Sequence, residues 1–550
     1  MLFPVFIGVL AGAVILGGGT RQGFLGDVAV QVASVLLLAV AMWRLPVSRD
    51  GTTEAGQPVL RDHLVFLCMM LGVLLLLANP FHVDLSAFGV PITEGSGGSF
   101  HETPGRAVAS HNSRAAAISL LVPVSVFIAG TMLGREQRIK VMWLLLALGG
   151  LSALLGLVQV AQGPSSPLRF FAFTNPTEAV GFFANRNHFA AFLYAMVVLA
   201  VVPLSILVRR VAGSGRTSSR DIAQLCGSVA LVFLLLAGVV LARSRAGLVL
   251  TMIGLVAVVI MIARGAVVGA ASAKRGHARS SSGLAMRRSS VVTVLVVAGL
   301  ALVALELGLH RIQSRLDQDL LHDLRYTLTA VTMQAAGNAL PFGTGLGSFV
   351  TVYGILEPRA AVFSGFANRA HNDLAEIILE AGIVAAVLLA LFFAWFIVRA
   401  AGIWFRPAGP GAGGDVELAH VMLQRAASII ILLLLLHSLV DYPFRTTALA
   451  AVFAFSCAML VAPPLGVAPS SGRHRHVAGH DRPSGIAAGA SRSASVTDVV
   501  LPAAQVAHVS TALPERHPRE QLDLAWPSEW RSSTHSSEMP ETKRGPEDAG

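Results

Sequence analysis

Arginine side chains stand beside strongly apolar runs in this chain, where a charged group is costly and usually marks a site. Arg186 lies in GFFANRNHFAAFLY (181–194), and Arg243 and Arg245 lie in LARSRAGLVL (241–250). A guanidinium is planar and always charged, so it suits the paired oxygens of a phosphate. Three arginines beside the bilayer therefore predict binding of a diphosphate headgroup whose lipid tail stays in hydrocarbon. The alternative is that these arginines only anchor helix ends at the membrane surface.

A histidine closes the long polar segment 310–372. His371 stands in AHNDLAEIILEAG (370–382), directly before Asn372, whose side chain suits the cap of a following helix. Neutral imidazole accepts a proton from a hydroxyl near pH 7, which makes His371 a candidate general base. A lone histidine at an interface is more often structural, but this one ends a loop rich in arginine. Glu380 continues the polar face of Asn372 into the next apolar run.

The same loop carries Arg325 and a glycine-rich passage. Arg325 begins RYTLTAVTMQAAG, within a stretch, 311–336, that predicts a helix. The passage PFGTGLGSF (341–349) has no βαβ unit around it and is no dinucleotide motif. It predicts a tight turn, with a nest of backbone N–H groups as the alternative. The loop therefore supplies a further arginine and a turn close in sequence to His371.

Supporting groups lie in two more segments. Asn185 or Asn187 suits the cap of the helix that follows them, and Asp441 lies in HSLVDYPFR at another outer helix end, where packing is the alternative role. Asp317 and Asp319 form a D-x-D pair, a pattern that some glycosyltransferases use to hold a divalent metal. On a helix, residues two apart do not face one side. We therefore predict no metal site, and no cofactor motif is present in the sequence.

The elements that must position these residues are membrane helices. The 550 residues are 54% hydrophobic and only 13% charged, which departs from ordinary globular composition. Apolar runs of about the length that crosses ~30 Å of hydrocarbon recur along the chain. They fall at roughly 3–18, 27–45, 63–79, 115–133, 141–160, 188–208, 223–242, 246–264, 291–309, 374–398, 422–440 and 447–464. The prediction is an all-α polytopic membrane protein, a bundle of about twelve transmembrane helices with one large outer loop, 310–372, that contains short helices.

Basic residues determine the predicted orientation of this bundle. Connectors such as 209–222 and 265–290 are rich in arginine or lysine, so the positive-inside rule places them and both termini in the cytoplasm. The site segments then share the outer side. The same rule accounts for the formal net charge of +10, and no basic-aromatic module predicts nucleic-acid binding. Residues 465–550 lack a periodic apolar face, so we predict a disordered cytoplasmic tail.

The order of these motifs resembles that of the O-antigen ligase and polymerase superfamily of bacterial envelope glycan assembly. Over roughly residues 180–445 the chain carries, in turn, FFANRNHFAAFL, SRAGLVL, RYTLTAV with PFGTGLGSF, AHNDLAEIILEAGI and HSLVDYPF. The resemblance implies a metal-independent glycosyltransferase domain over residues 1–464. It implies a multi-pass protein of the bacterial inner membrane, surrounded by membrane lipids, with its active site facing the periplasm.

The resemblance also implies roles for individual residues and partners. Arg186 and Arg245 match arginines that bind the donor diphosphate, and Arg325 matches a further loop arginine. His371 matches a histidine that activates the acceptor. Arg243 matches the family's arginines less closely than Arg186, Arg245 and Arg325 do. The implied donor is a glycan on undecaprenyl diphosphate; the acceptor is lipid A core for a ligase, or a lipid-linked glycan for an O-antigen or exopolysaccharide polymerase. A transporter of lipid-linked sugars is the alternative from another class, although no symmetry between halves indicates it.

Overall fold

The computed structural model describes the chain over residues 1–20, 25–43, 115–172, 174–213, 218–275, 291–295, 298–299, 306, 320–357, 367–405 and 415–463. Within these ranges the backbone forms helices and turns, and no strand occurs. The all-helical prediction is confirmed for this part of the chain. The predictions for Asp317 and Asp319, and for a disordered tail at 465–550, lie outside the described residues.

The described ranges contain twelve helices of eight or more residues. They are α1 (Leu2–Leu16), α2 (Leu25–Trp43), α3 (Leu121–Thr131), α4 (Arg135–Gln162), α5 (Arg186–Gly213), α6 (Ser219–Leu241), α7 (Arg245–Arg275), α8 (Leu320–Asn338), α9 (Phe349–Leu356), α10 (Asp373–Trp404), α11 (Asp415–His437) and α12 (Thr447–Leu460). A 3-10 turn, Pro443–Arg445, lies between α11 and α12. The longest helix, α10, has 32 residues and exceeds the ~20 residues that cross hydrocarbon.

Seven of these described helices are long and apolar enough to cross a membrane: α2, α4, α5, α6, α7, α10 and α11. Three shorter apolar helices are α1, α12 and the stretch Ala115–Thr131, which includes α3. These ten elements coincide with ten of the apolar runs in the sequence. The run at 63–79 lies outside the described residues, and the run at 291–309 is described only in part. The helices have the length and composition of a multi-pass membrane protein.

α5 forms the centre of the bundle. In α5, 94% of the apolar span is buried, whereas in α10 the buried share is 22%. The sequence of α5 is apolar on every side between residues 189 and 202, as expected for a helix surrounded by other helices. It packs against α6, α7 and α11. The first residues of α5 are therefore held by neighbours, while much of α10 faces outward.

A close approach brings the starts of α5 and α7 together. A Cβ atom placed on Gly247, the third residue of α7, would lie 2.5 Å from the Cβ of Ala190, one turn into α5. Only glycine permits this separation of the two backbones, a common device where membrane helices pack. Since Arg186 and Arg245 are the first residues of these helices, both arginines lie at the same end of the bundle.

α10 bends at Gly382, where φ is +55° and ψ is −138°. The glycine-rich passage 341–349 packs into this bend, and the N–H of Thr344 donates to the carbonyl of Leu379 at 2.8 Å. Positive φ angles, which glycine adopts without steric cost, occur at Gly343, Gly345 and Gly347. The tight turn predicted for this passage is therefore observed.

The described part of the segment 310–372 contains two helices, α8 of 19 residues and α9 of 8 residues. The helix predicted over 311–336 corresponds to α8, which ends two residues later and whose predicted start lies outside the described residues. Leu328 of α8, Phe349 of α9 and Leu379 of α10 belong to one buried apolar cluster. This cluster attaches the loop helices to the first turns of α10.

Candidate active site

The ends of several helices meet at one side of the bundle. Asn187, in the first turn of α5, donates from Nδ2 to Oδ2 of Asp441 at 2.6 Å. Asp441 lies in the turn after α11, and the carbonyl of Ser438 in the same turn accepts the N–H of Asp373 at 2.9 Å. Because Asp373 begins α10, this bond joins a third helix to the group. Because α7 packs against α5, Arg245 lies at the same end of the bundle.

His371 and Asp441 form the polar pair at the centre of this site. Nδ1 of His371 lies 3.2 Å from Oδ1 of Asp441; the aspartate side chain is fully buried, whereas 22% of the histidine side chain is exposed. Oδ1 also accepts the N–H of Tyr442 at 3.0 Å. When the carboxylate accepts the Nδ1–H of the imidazole, Nε2 is the nitrogen that can take a proton from a hydroxyl.

Asp441 stays ionised at neutral pH. Burial raises the pKa of its carboxyl group, but the hydrogen bond from His371 and the positive charges around it, including Arg325, hold the pKa well below its usual range. An ionised carboxylate selects the tautomer of a neighbouring imidazole and stabilises the imidazolium that forms when a proton arrives. Asp441 was predicted as a supporting residue, and it contacts the candidate base directly.

The backbone conformation and a neighbouring aromatic ring both restrict the imidazole of His371. Its φ angle is +52°, a conformation that costs a non-glycine residue on the order of 1–3 kcal/mol. Asn372 accepts the N–H groups of Leu374 at 3.1 Å and Ala375 at 3.0 Å, so the predicted cap of α10 is confirmed. The ring of Tyr442 stands edge-on to the imidazole, with the ring centroids 4.9 Å apart. These contacts restrict where Nε2 can point.

Tyr442 stands between two histidine rings. It also meets His188 edge-on, again with the ring centroids 4.9 Å apart. Burial, and then the charge of Asp441, raise the pKa of Tyr442 to about 12, so its hydroxyl keeps its proton at neutral pH. Tyr442 therefore acts as a neutral, rigid spacer behind His371.

Arg186 forms an ion pair at the first residue of α5. Its Nη1 lies 2.7 Å from Oε1 of Glu178, and 20% of the arginine side chain and 4% of the glutamate side chain are exposed. Asn185 Oδ1 accepts the N–H of Asn187 at 2.8 Å, which confirms Asn185 as the helix cap. The guanidinium is thus held in place before a substrate arrives. A bound phosphate would join Glu178 or replace it.

The other predicted arginines reach the same end of the bundle in two ways. Nη1 of Arg325, from α8, donates to the carbonyl of Val440 at 3.4 Å, directly before Asp441. Arg243 lies in the turn between α6 and α7 with a φ angle of +50°, two residues before Arg245. A hydrogen bond therefore places Arg325 beside the His371–Asp441 pair, whereas helix packing places Arg243 and Arg245.

A buried ion network lies behind this pair and joins α10 to the turn after α11. Arg445 lies within salt-bridge distance of three carboxylates of α10, those of Asp373 (3.4 Å), Glu376 (3.1 Å) and Glu380 (3.2 Å). Nη1 of Arg369 lies 2.9 Å from Oε1 of the same Glu376. Burial lowers the pKa of Arg445, but the three carboxylates raise it by more than burial lowers it, so the pKa lies above its usual range. The network fixes the chain segments that carry His371 and Asp441.

Residues 230–390 match the family model described as O-antigen ligase. This match confirms the resemblance to the O-antigen ligase and polymerase superfamily. The matched range contains Arg243, Arg245, Arg325, His371 and Glu380. No curated protein matches the chain. The match supports a membrane enzyme of ligase or polymerase type that acts in polysaccharide biosynthesis.

The glycine-rich passage, which lies within the matched range, supports α10. The N–H groups of Gly343, Thr344 and Gly345 donate to the carbonyls of Ala339, Leu379 and Glu380 at 2.8–2.9 Å. Because these N–H groups already have protein acceptors, the alternative of a phosphate-binding nest has no support at residues 343–345. The passage instead fixes the bend of α10.

Several contacts that complete the candidate site were not predicted from the sequence. Glu178, the partner of Arg186, lies in a polar segment without periodicity, and nothing in its local sequence indicates the pair. Tyr442 stands next to a predicted residue, but an aromatic side chain carries no sign of its ring contacts. The pairing of Arg369 and Arg445 with α10 could have been found from Glu376, because a carboxylate in a membrane helix needs a nearby cation.

Proposed function

We propose that the protein is a glycosyltransferase of the bacterial inner membrane that moves a glycan from undecaprenyl diphosphate to an acceptor hydroxyl. The reaction takes place at the periplasmic face, and both termini lie in the cytoplasm. The observation that carries the proposal is the His371–Asp441 pair at the helix ends where Arg186 and Arg325 also lie. An oriented base and fixed guanidinium groups are what transfer from a lipid diphosphate requires.

The arginines act on the donor. Arg186, Arg245 and Arg325 bind the diphosphate, with Arg243 at the edge of the site, while the lipid tail stays in the bilayer. Breakage of the sugar–phosphate bond leaves negative charge on the departing diphosphate. Guanidinium groups that are already in place stabilise this charge more in the transition state than in the bound donor. In this scheme arginine supplies the positive charge, and the reaction does not depend on a divalent metal.

His371 acts on the acceptor. The acceptor oxygen attacks the anomeric carbon from the face opposite the diphosphate, its proton passes to Nε2 of His371, and the bond to the diphosphate breaks. The anomeric configuration is therefore inverted. Asp441 stabilises the imidazolium formed in this step, and proton transfer of this kind contributes about 10²–10⁴-fold in rate.

The description of the matching family favours the ligase reaction. The acceptor in our proposal is then lipid A core. A polymerase uses the same groups and takes a second lipid-linked glycan instead. Deletion of the gene separates the two reactions in cells. Accumulation of lipid-linked polymer, with loss of long glycan from lipid A core, supports the ligase, whereas accumulation of single lipid-linked repeat units supports the polymerase.

The test of the chemistry uses purified protein in detergent with a glycan on undecaprenyl diphosphate and lipid A core as acceptor. We expect transfer in the presence of a metal chelator, and a loss of about 10²-fold or more on His371→Ala. Added imidazole should restore part of the rate of that variant, because 22% of the side chain is exposed. Full activity of His371→Ala would contradict the proposal. No transfer in detergent, together with movement of the lipid-linked glycan across sealed vesicles that contain the protein, would indicate a carrier of lipid-linked sugars.

A further inference from the structure

A cavity of about 490 Å³ lies between α4, α5, α6 and α11, at the ends opposite the candidate active site. Its wall on α5 runs from Pro203 to Arg210, whereas Arg186 begins the same helix at the site. At 1.5 Å per residue, Pro203 lies about 25 Å along the helix from Arg186. The cavity is therefore separate from the groups assigned to catalysis.

The lining of the cavity is mainly apolar and includes three polar side chains, Arg210, Gln224 and Ser228. Met142, Leu207 and Leu231 are among the apolar residues. Small-molecule sites commonly combine such an apolar wall with a few placed polar groups, in volumes of about 300–1,000 Å³. The lining suits an alkyl chain that carries a polar head.

A glycine leaves space along one wall. Gly227 of α6 lines the cavity, and a Cβ atom added there would meet no heavy atom within 4 Å. A side chain at this position would extend into open volume without displacing a neighbour. The same feature makes Gly227 a precise place at which to fill the cavity.

The cavity opens toward the lipid. Trp143 lines it from α4 and 48% of this side chain is exposed, although α4 is a helix of membrane-spanning length and composition. Tryptophan is enriched where a membrane helix meets the interface. A molecule that enters beside Trp143 therefore comes from the bilayer, sideways between helices.

Basic side chains lie near the polar lining residues, and the acidic Asp221 and Glu417 lie on two of the same helices, Glu417 paired with Arg135. Arg210 lies in the last turn of α5, and Arg220 lies one turn before Gln224 on the same face of α6. Lys140, which is exposed, lies one turn before Trp143 on α4. Basic groups at a cytoplasmic membrane surface attract anionic lipids, at about 1 kcal/mol per charge.

We propose that this cavity binds an acyl chain of an anionic glycerophospholipid, with the lipid phosphate held by Arg210 and Gln224. The apolar wall takes the chain, and the cations at the mouth select the headgroup. The bound lipid fills the space between α4, α5, α6 and α11 and so stabilises their packing. This site does not depend on the proposed glycan transfer.

The test measures lipid binding by native mass spectrometry on the full chain in detergent, without glycan substrates. The probes are phosphatidylglycerol and phosphatidylcholine with identical acyl chains. We expect phosphatidylglycerol to bind the wild-type protein about fivefold more tightly, the ratio that one favourable charge contact gives. Gly227→Leu should weaken phosphatidylglycerol binding by about tenfold or more, because the side chain occupies the cavity. Gly227→Ala should retain most of it and reports on folding of the substituted helix.

Gly402→Leu is the matched control. Gly402 is an exposed glycine near the end of α10, where an added Cβ also meets no heavy atom within 4 Å, but it does not line the cavity. We expect this variant to bind phosphatidylglycerol as the wild type does. Arg210→Gln should lower binding to the level of phosphatidylcholine. Unchanged binding by Gly227→Leu, or equal binding of both lipids by the wild type, would overturn the proposal. Displacement of phosphatidylglycerol by undecaprenyl phosphate at equal concentration would also overturn the proposal, because the carrier lipid would then be the occupant of the cavity.

Discussion

His371 Nδ1 lies 3.2 Å from Asp441 Oδ1, although 70 residues separate the two in sequence. His371 ends the long outer loop, and Asp441 lies in the turn after α11. The pair exists only because α10 and α11 meet at this end of the bundle, where the N–H of Asp373 donates to Ser438. It also leaves Nε2 of the imidazole as the proton acceptor. Catalysis should therefore depend on the carboxylate as well as on the histidine.

Asp441→Asn should lower the turnover number for glycan transfer by about 10²-fold or more while changing the acceptor KM little. An asparagine amide can donate to Nδ1, which moves the imidazole proton to Nε2 and removes the base. Steady-state kinetics in detergent would measure both constants. Asn187→Ala is the control: it removes another hydrogen bond to Asp441 but keeps the carboxylate, so its effect on turnover should be clearly smaller. An Asp441→Asn enzyme within about twofold of the wild type would contradict the assigned role.

The pH dependence of stability follows from the lowered pKa of Asp441. A carboxyl group with a lowered pKa contributes stability that is complete above its unfolded value of about 3.9 and is lost as the pH falls through its folded value. The stabilisation of the wild type relative to Asp441→Asn should therefore be present from about pH 5 to pH 8, where the carboxylate is ionised. It should shrink only below about pH 4. Equal melting temperatures of the two proteins at those higher pH values would contradict a stabilising role of the ionised carboxylate.

The helices could be predicted from the sequence to a large extent, whereas the contacts of the site could not. Apolar runs locate membrane helices because the backbone must satisfy its hydrogen bonds inside lipid, a constraint that acts locally. Asn372 and Asn185 were predictable as caps for the same local reason. The bond between Asn187 and Asp441 joins residues 254 apart, so no spacing in the sequence encodes it. Such a pair depends on which helix ends meet.

Arg186→Lys should lower the rate of transfer by about tenfold and raise the KM for the lipid-linked donor. Lysine can still form an ion pair with Glu178, but it lacks the planar pair of donors that fits two phosphate oxygens. The loss of one such charge-assisted contact is worth about 1.5–3 kcal/mol. Arg209→Lys, near the other end of α5, serves as the control and should leave both constants unchanged. Equal effects of the two substitutions would indicate that Arg186 only anchors the helix end at the membrane surface.

Arg445→Gln should destabilise the protein by about 3–5 kcal/mol, because it leaves three buried carboxylates of α10 with Arg369 as the nearest remaining arginine. Thermal or denaturant unfolding in one detergent would measure the loss. Arg135→Gln breaks the pair with Glu417, where 51% and 30% of the side chains are exposed, and should cost no more than about 1 kcal/mol. If both variants lose the same stability, the buried network does not hold α10 against the turn after α11.

Gly382→Ala should destabilise the protein by about 1–3 kcal/mol and reduce transfer as well. The φ angle of +55° disfavours any side chain, and a Cβ atom at this position would collide with the carbonyl oxygen of Pro341. Relief of that collision has to move either the bend of α10 or the glycine-rich turn, and α10 begins two residues after His371.

Gly337→Ala is the matched control in α8, because its Cβ would meet no heavy atom within 4 Å. Alanine has the higher helix propensity, so this variant should gain up to about 1 kcal/mol. Unfolding curves and transfer rates of the two variants, measured side by side, would show whether the bend at Gly382 supports the site. If Gly382→Ala is as stable and as active as Gly337→Ala, the bend does not support it.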